Sequence, residues 1–102
     1  MCVEIPVVLF GKTVMAVKDE NGAVMFERKS FINALSVPRA KRIFGEMQEL
    51  LSFLGEDGAD EIIAQGKEHI LCNLILADKN ASEELREYAT AWVTAYEMLA
   101  DK

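Results

Sequence analysis

Five basic side chains fall within a stretch of fifteen residues and form the group best suited to binding chemistry: Arg28, Lys29, Arg39, Lys41 and Arg42. Such a cluster can neutralise DNA phosphates, meet an acidic patch on a protein or hold a small anion such as a nucleotide. DNA-binding domains are usually basic, whereas this chain carries a net charge of −6. We therefore favour a protein partner, keep DNA as the alternative and a small anion as a further one.

Three aromatic side chains near the carboxyl end repeat every four residues, which places Tyr88, Trp92 and Tyr96 on one face of a helix. Amphipathic aromatic residues are enriched at protein interfaces. The same spacing is also typical of a helix that packs its aromatic face into a core. Both interpretations stay open from the sequence alone.

No set of side chains has the spacing of a catalytic or metal site. His69 is the only histidine, and its apolar surroundings predict a partly buried structural role. The adjacent acids at 56–57, 60–61 and 83–84 each precede or begin a predicted helix, where negative charge stabilises exposed backbone amides. The glycines lack the spacing of a phosphate-binding loop. We expect no enzyme activity, no metal and no cofactor.

The two cysteines, Cys2 and Cys72, form no metal-binding or redox motif. Cys72 lies in an apolar run and is expected to be buried as a free thiol, which fits the reducing cytoplasm. The amino terminus carries an acid in place of the basic segment of a secretory signal. No apolar run reaches the roughly 18 residues of a membrane span.

Charge is distributed unevenly along the chain. Residues 1–45 hold seven Lys and Arg against four Asp and Glu, a balance of +3. Residues 46–102 hold four against thirteen, a balance of −9. Such a division can steer a charged partner toward one face, and it also fits plain solvation of helix faces.

The elements that position these groups begin with a small antiparallel sheet. The apolar run at 5–10, which ends at Gly11, predicts a strand buried on both faces or at a subunit contact, and Pro6 favours a sheet edge. Strands at 13–17 and 23–26 flank a turn at Asn21 and Gly22.

The remainder of the chain reads as helices. Ser30 is the expected cap of a short helix at 31–35, and Pro38 begins a helix that runs to Leu54. Basic residues in the first turn of that second helix oppose the helix dipole without visible compensation, which weakly indicates function. Further helices are predicted at 59–77, with Gly66 inside, and at 83–99, with Asn80 or Ser82 as its cap.

The segment VVLFGKTVMAVKDENGAVMFERKSFINALSVPRAKRIFGEM resembles the amino-terminal domain of phage antirepressor proteins and, more distantly, the BRO-type amino-terminal domain. The matching elements are an apolar strand at 7–11, strands at 14–17 and 25–28 around an acidic turn at 19–22, and an "ALGV"-like step at 34–37. Ser36 stands where the family has glycine. The resemblance implies a phage or prophage regulator that inactivates a transcriptional repressor by binding it.

We therefore predict a single α+β domain over 1–102. Its part at 1–28 forms an antiparallel hairpin or three-stranded sheet, and its part at 30–102 forms one short and three longer helices. The expected function is non-enzymatic binding of a repressor in the cytoplasm, with self-association and without a membrane. The alternatives are a DNA-binding regulator that uses residues 39–42 and a protein that sequesters a small anionic ligand. The candidate contact residues are Arg28, Lys29, Arg39, Lys41, Arg42, Tyr88, Trp92 and Tyr96.

Overall fold

A computed structural model describes residues 3–55 and 57–100, so that Cys2 and Glu56 lie outside the described residues. A three-stranded antiparallel sheet is followed by five helices, which confirms the predicted α+β class. The strands are β1 (Val3–Leu9), β2 (Lys12–Lys18) and β3 (Val24–Phe26). The helices are α1 (Arg28–Leu35), α2 (Val37–Leu50), a 3-10 turn (Ser52–Leu54), α3 (Gly58–Ala64), α4 (Glu68–Ala77) and α5 (Glu83–Ala100).

The first hairpin turns in two residues. Phe10 and Gly11 both have positive φ, 51° and 79°, and Leu9 pairs with Lys12 across the turn. Positive φ at both central positions is typical of a type I′ turn, whose twist matches that of the flanking strands. The pairing continues in register to Val3 and Lys18.

Strand β1 lies at the edge of the sheet, as Pro6 predicts. Its burial alternates: Ile5, Val7 and Leu9 are buried, whereas Pro6 and Val8 are exposed. Burial of both faces within the chain is therefore wrong, and burial of the second face at a subunit contact stays a prediction. The helices cover only one face of the sheet, so that a period of two decides which residues of the apolar run reach the core.

The second turn is closed by Asp19. Its carboxylate accepts hydrogen bonds from the backbone N–H groups of Asn21 and Ala23, each at 2.9 Å. Gly22 has a φ of 83° and Asn21 has negative φ. The predicted turn is confirmed, with the left-handed residue at Gly22 alone.

Helix α1 begins earlier than predicted. Glu27, not Ser30, caps it, because the Glu27 carboxylate accepts from the N–H groups of Lys29 and Ser30 at 3.0 Å. Ser30 instead accepts the N–H of Met15 on β2 at 3.2 Å. Arg28 therefore belongs to the helical part of the chain.

Two helix ends also differ from the sequence-based expectation. Helix α2 ends at Leu50 and continues as the 3-10 turn rather than running to Leu54. The helix predicted at 59–77 is two helices, because Gly66 adopts a φ of 73°. The N–H of Lys67 bonds to the carbonyl of Ile62 at 3.1 Å and that of Gly66 to Ile63 at 2.9 Å, a Schellman end.

Helix α5 packs against the sheet and against α4, and it supplies much of the core. The predicted cap at Ser82 is confirmed, since its hydroxyl accepts the N–H of Leu85 at 3.2 Å. All buried residues of the described chain are apolar or aromatic, and they form one cluster. Within residues 3–55 and 57–100, no helix has the length and hydrophobicity to cross a membrane. The buried face of α5 consists of Leu85, Tyr88, Ala89, Ala91, Trp92, Ala95 and Leu99.

Candidate protein-binding groove

Two members of the basic cluster are held by one carboxylate. Glu84, on α5, accepts from Nε of Arg39 at 3.2 Å and from Nε and a terminal nitrogen of Arg42 at 3.1 and 3.0 Å. The Arg42 hydrogen bond is the main cause that lowers the pKa of Glu84, and Arg39 adds to it. The same pair raises the pKa of Arg42.

Arg39 also joins three separate elements. Its guanidinium lies 4.1 Å from the centre of the Phe10 ring, in the first hairpin turn, and donates to the carbonyl of Ala34 at 3.4 Å. The basic start of α2 is therefore compensated from α5, contrary to the expectation from the sequence. The pairing with Glu84 gives Arg39 and Arg42 a structural role, and this role requires no ligand.

The other three basic residues are exposed. Arg28 and Lys29 lie in the first turn of α1, and Lys41 lies in α2. The structure thus brings together Arg39 and Arg42 from the predicted cluster, on Glu84. A phosphate or acidic group that approached from solvent would meet Arg28, Lys29 and Lys41 as exposed charges, of which Lys29 is partly balanced by Glu27.

The aromatic face of α5 divides into two parts. Tyr88 and Trp92 are core residues, with 2% and 7% of their surface exposed. The Trp92 ring lies edge-on to Phe26 with 4.5 Å between centres. Tyr96 is partly exposed and stacks on His69 at 3.6 Å. Of the two interpretations left open by the sequence, the structure shows core packing for Tyr88 and Trp92.

The amino-terminal turn of α4 carries the ionisable groups closest to the core. Burial raises the pKa of Glu68, and a hydrogen bond from the Tyr88 hydroxyl at 3.4 Å offsets part of that rise. His69 is partly buried, as predicted, and burial followed by the charge of Lys67 lowers its pKa. Cys72 is a buried free thiol whose pKa is raised by burial.

His69 and Cys72 do not form a pair of catalytic base and nucleophile. The His69 ring stacks on Tyr96, and burial raises the pKa of Cys72, so that its thiol stays neutral and is a poor nucleophile. Among the residues that the structure describes, no group of three or more His, Cys, Asp and Glu is placed to hold a metal ion. The polar groups of α4 are best explained by their position at the edge of the core.

An apolar groove lies between α2, the 3-10 turn, α3 and α4, with a volume of about 590 Å³. Phe44 and Ile63 line it with 45% and 43% of their surface exposed. We call this surface the α2–α3 groove. Its apolar lining consists of Phe44, Met47, Leu51, Ala59, Ile63 and Leu71.

The lining of the α2–α3 groove carries one negative charge and no positive charge. Asp60 lines the groove together with the polar side chains of Gln48 and Ser52. Residues 46–66 contain no Lys or Arg. Exposed carboxylates in the described part of that segment are those of Glu49, Asp57, Asp60 and Glu61.

Sequence reasoning missed this groove because it assigned the apolar residues of α2 to one buried stripe. Ile43 and Met47 are buried, but Phe44 is turned toward solvent at the groove. The apolar stripe predicted from Ile43 to Leu54 extends across α2 and the 3-10 turn, and it reaches beyond the buried face of α2 to the exposed Phe44. The width of this apolar stripe was the signal in the sequence from which the groove could have been predicted.

A smaller groove of about 480 Å³ lies between β1 and α5, where Val8 and Met98 are exposed. The one charged side chain in its lining is Glu87, whose carboxylate accepts the Phe10 N–H at 2.7 Å. Its charge is therefore already used within the chain, and the groove offers a ligand mainly apolar contact.

Comparison of the chain with protein-family models, with curated proteins and with solved structures found no match.

Proposed function

We propose that this chain is a non-enzymatic regulator that binds a transcriptional repressor in the cytoplasm and inactivates it by protein–protein contact. The observation that carries the proposal is the α2–α3 groove, where large apolar side chains are exposed side by side. Contiguous exposed apolar surface is typical of a protein-binding site. The resemblance of residues 7–44 to phage antirepressor domains supports a repressor as the partner.

A nucleic acid or a nucleotide fits this groove poorly. Phosphates would face Asp60, and neither the lining nor residues 46–66 contain a Lys or Arg to attract them. The alternative of DNA binding through residues 39–42 loses strength as well, because Glu84 engages both Arg39 and Arg42. The basic residues then left to contact DNA are Arg28, Lys29 and Lys41.

Inactivation by separating a repressor oligomer suits the groove better than imitation of DNA. A DNA mimic presents its carboxylates as a regular ladder at phosphate spacing, whereas this groove is an apolar surface with one carboxylate, that of Asp60, in its lining. An apolar groove can instead capture a segment that the repressor uses for its own assembly. We propose this route of action.

The first test is capture of partners by the tagged chain from a lysate of the cells that encode it. Nuclease removes bridging nucleic acid, and mass spectrometry identifies the captured proteins. We expect one enriched repressor. The variant Ile63→Asn should lose it, while Ile32→Asn, on the exposed face of α1 with 50% exposure, should retain it.

The captured repressor is then tested on its operator DNA by gel retardation. Addition of the wild-type chain should release the DNA, and Ile63→Asn should fail to do so. The proposal is wrong if no protein survives nuclease treatment, or if Ile63→Asn captures and inactivates the repressor as well as the wild type does. Retardation of DNA by the chain itself at physiological salt would favour the DNA-binding alternative.

A further inference from the structure

We propose that the α2–α3 groove receives one amphipathic helix of the partner, with an apolar stripe directed into the groove and Lys or Arg on its flanks. This inference rests on the proposed function and adds to it the chemistry and conformation of the bound segment. Two independent features of the groove carry it, namely the state of its backbone and the sign of its charge.

The first feature argues against a β-strand as the bound segment. An extended strand must hydrogen-bond its backbone to the site that binds it, as it does at a sheet edge. The walls of this groove are α2, the 3-10 turn, α3 and α4, so most of their backbone groups are paired within helices, and the uncapped first turn of α3 is the exception. The connections are paired too: the N–H of Leu51 bonds to Met47, that of Gly55 to Ser52 and that of Gly66 to Ile63.

Because the groove offers few backbone partners, the bound segment has to satisfy its own N–H and C=O groups. A helix does so within a single segment. Its apolar residues at i, i+3, i+4 and i+7 then form the stripe that enters a groove of this kind. The helical conformation of the partner follows from the helical walls.

The second feature sets the charge of the partner. Asp60 is the one charged side chain in the lining, which contains no Lys or Arg. With no Lys or Arg in residues 46–66, an acidic helix would be repelled and a basic one attracted. An exposed charge at a binding site raises the rate at which an oppositely charged partner associates, and it makes that rate sensitive to salt.

Helix α3 gives the groove one adjustable wall. None of its residues is buried, and glycines with positive φ flank it, Gly55 at 84° and Gly66 at 73°. Few buried contacts give a segment low local stability. The bound helix should therefore slow hydrogen exchange in α3 more than in α5.

The test uses a fluorescent synthetic peptide of sixteen residues with Leu at helical spacing and Lys and Arg elsewhere, titrated with the full-length chain. Three matched peptides serve as controls: one with Glu in place of Lys and Arg, one with a central proline, and one with the same composition at alternating spacing. Fluorescence polarisation at two salt concentrations gives each dissociation constant.

We expect the basic helical peptide to bind about tenfold more tightly than each control, and more weakly at high salt. Ile63→Asn should weaken binding about tenfold and Ile32→Asn should leave it unchanged, since asparagine alters no charge at either position. Equal binding of the alternating or acidic peptide would overturn the inference. So would a self-associated state in sedimentation that Ile63→Asn dissociates, because a second copy would then be the occupant.

The two proposals fail separately. If no peptide binds but Ile63→Asn still loses the captured repressor, the helical basic segment is wrong and the proposed function stands. If capture of the repressor is indifferent to Ile63→Asn, the proposed function is wrong. Binding of the basic peptide in that case would identify the groove as a site for some other protein.

Discussion

The Glu84 carboxylate accepts a hydrogen bond from Nε of Arg39 at 3.2 Å, a contact between residues 45 positions apart that joins α5 to the start of α2. The Arg39 side chain is 32% exposed and that of Glu84 28%, so solvent screens the pair only in part. The contact holds the start of α2 against the start of α5. It pairs the basic side chain of one helix with the acidic side chain of the other.

The variant Glu84→Gln should change how stability depends on pH. Arg42 and Arg39 hold the pKa of Glu84 below its ordinary value, so its contribution is present above the unfolded pKa near 4 and lost as pH falls through the folded pKa. Urea unfolding of wild type and variant should differ at pH 7 and converge below pH 4. Glu83→Gln serves as the control, and an equal effect of that variant would contradict the assignment.

Two glycine substitutions should change the free energy of unfolding in opposite directions. Gly66→Ala places a side chain at a φ of 73° and should cost about 1–2 kcal/mol, because the left-handed region is unfavourable for residues other than glycine. Gly45→Ala lies inside α2 with nothing within 4 Å of the added Cβ and should stabilise the chain by about 0.5–1 kcal/mol. Urea midpoints measure both. A stabilised Gly66→Ala would show that α3 and α4 can form one continuous helix.

Trp92→Ala should act on stability before it acts on binding. The ring is buried against Phe26, and removal of a buried large aromatic side chain costs about 3–5 kcal/mol. Tyr96→Ala is the comparison, because this partly exposed ring has less surface to lose. Unchanged urea unfolding of Trp92→Ala together with lost repressor capture would contradict the core assignment and place the residue in an interface.

Glu68→Gln should raise stability at neutral pH. Burial raises the folded-state pKa of Glu68, so its protonated form is the one that the fold favours. The wild type is then relatively most stable below the unfolded pKa near 4 and loses that advantage as pH rises through the folded pKa. Urea unfolding at pH 7 should favour the variant, and the difference should vanish near pH 4. Glu61→Gln, in the first turn of α3, controls for the helix dipole.

Local patterns predicted the elements that local chemistry determines. The turn at Gly22, the edge position of Pro6 and the apolar face of α5 follow from residue type and period, and the structure has all three. The fold class follows from the same patterns. Each of these features depends on residues that lie close together in the chain.

Features that depend on distant residues could not be predicted in this way. Ser30 is a good cap by type, but it is engaged by Met15 on β2 and leaves the cap to Glu27. The compensation of Arg39 comes from α5, and the exposure of Ile63 depends on how α3 packs on α4. These features are outcomes of tertiary packing. No local pattern in the sequence predicts them.

The edge of β1 has a consequence for aggregation. The hydrogen-bonded pair at Leu9 and Lys12 directs the backbone groups of Pro6 and Val8 to the open side by alternation. Pro6 has no N–H to offer there, and Glu87 already accepts the N–H of Phe10. An incoming strand finds an incomplete row of donors, so this edge resists β-sheet polymerisation even though the chain exposes apolar side chains elsewhere.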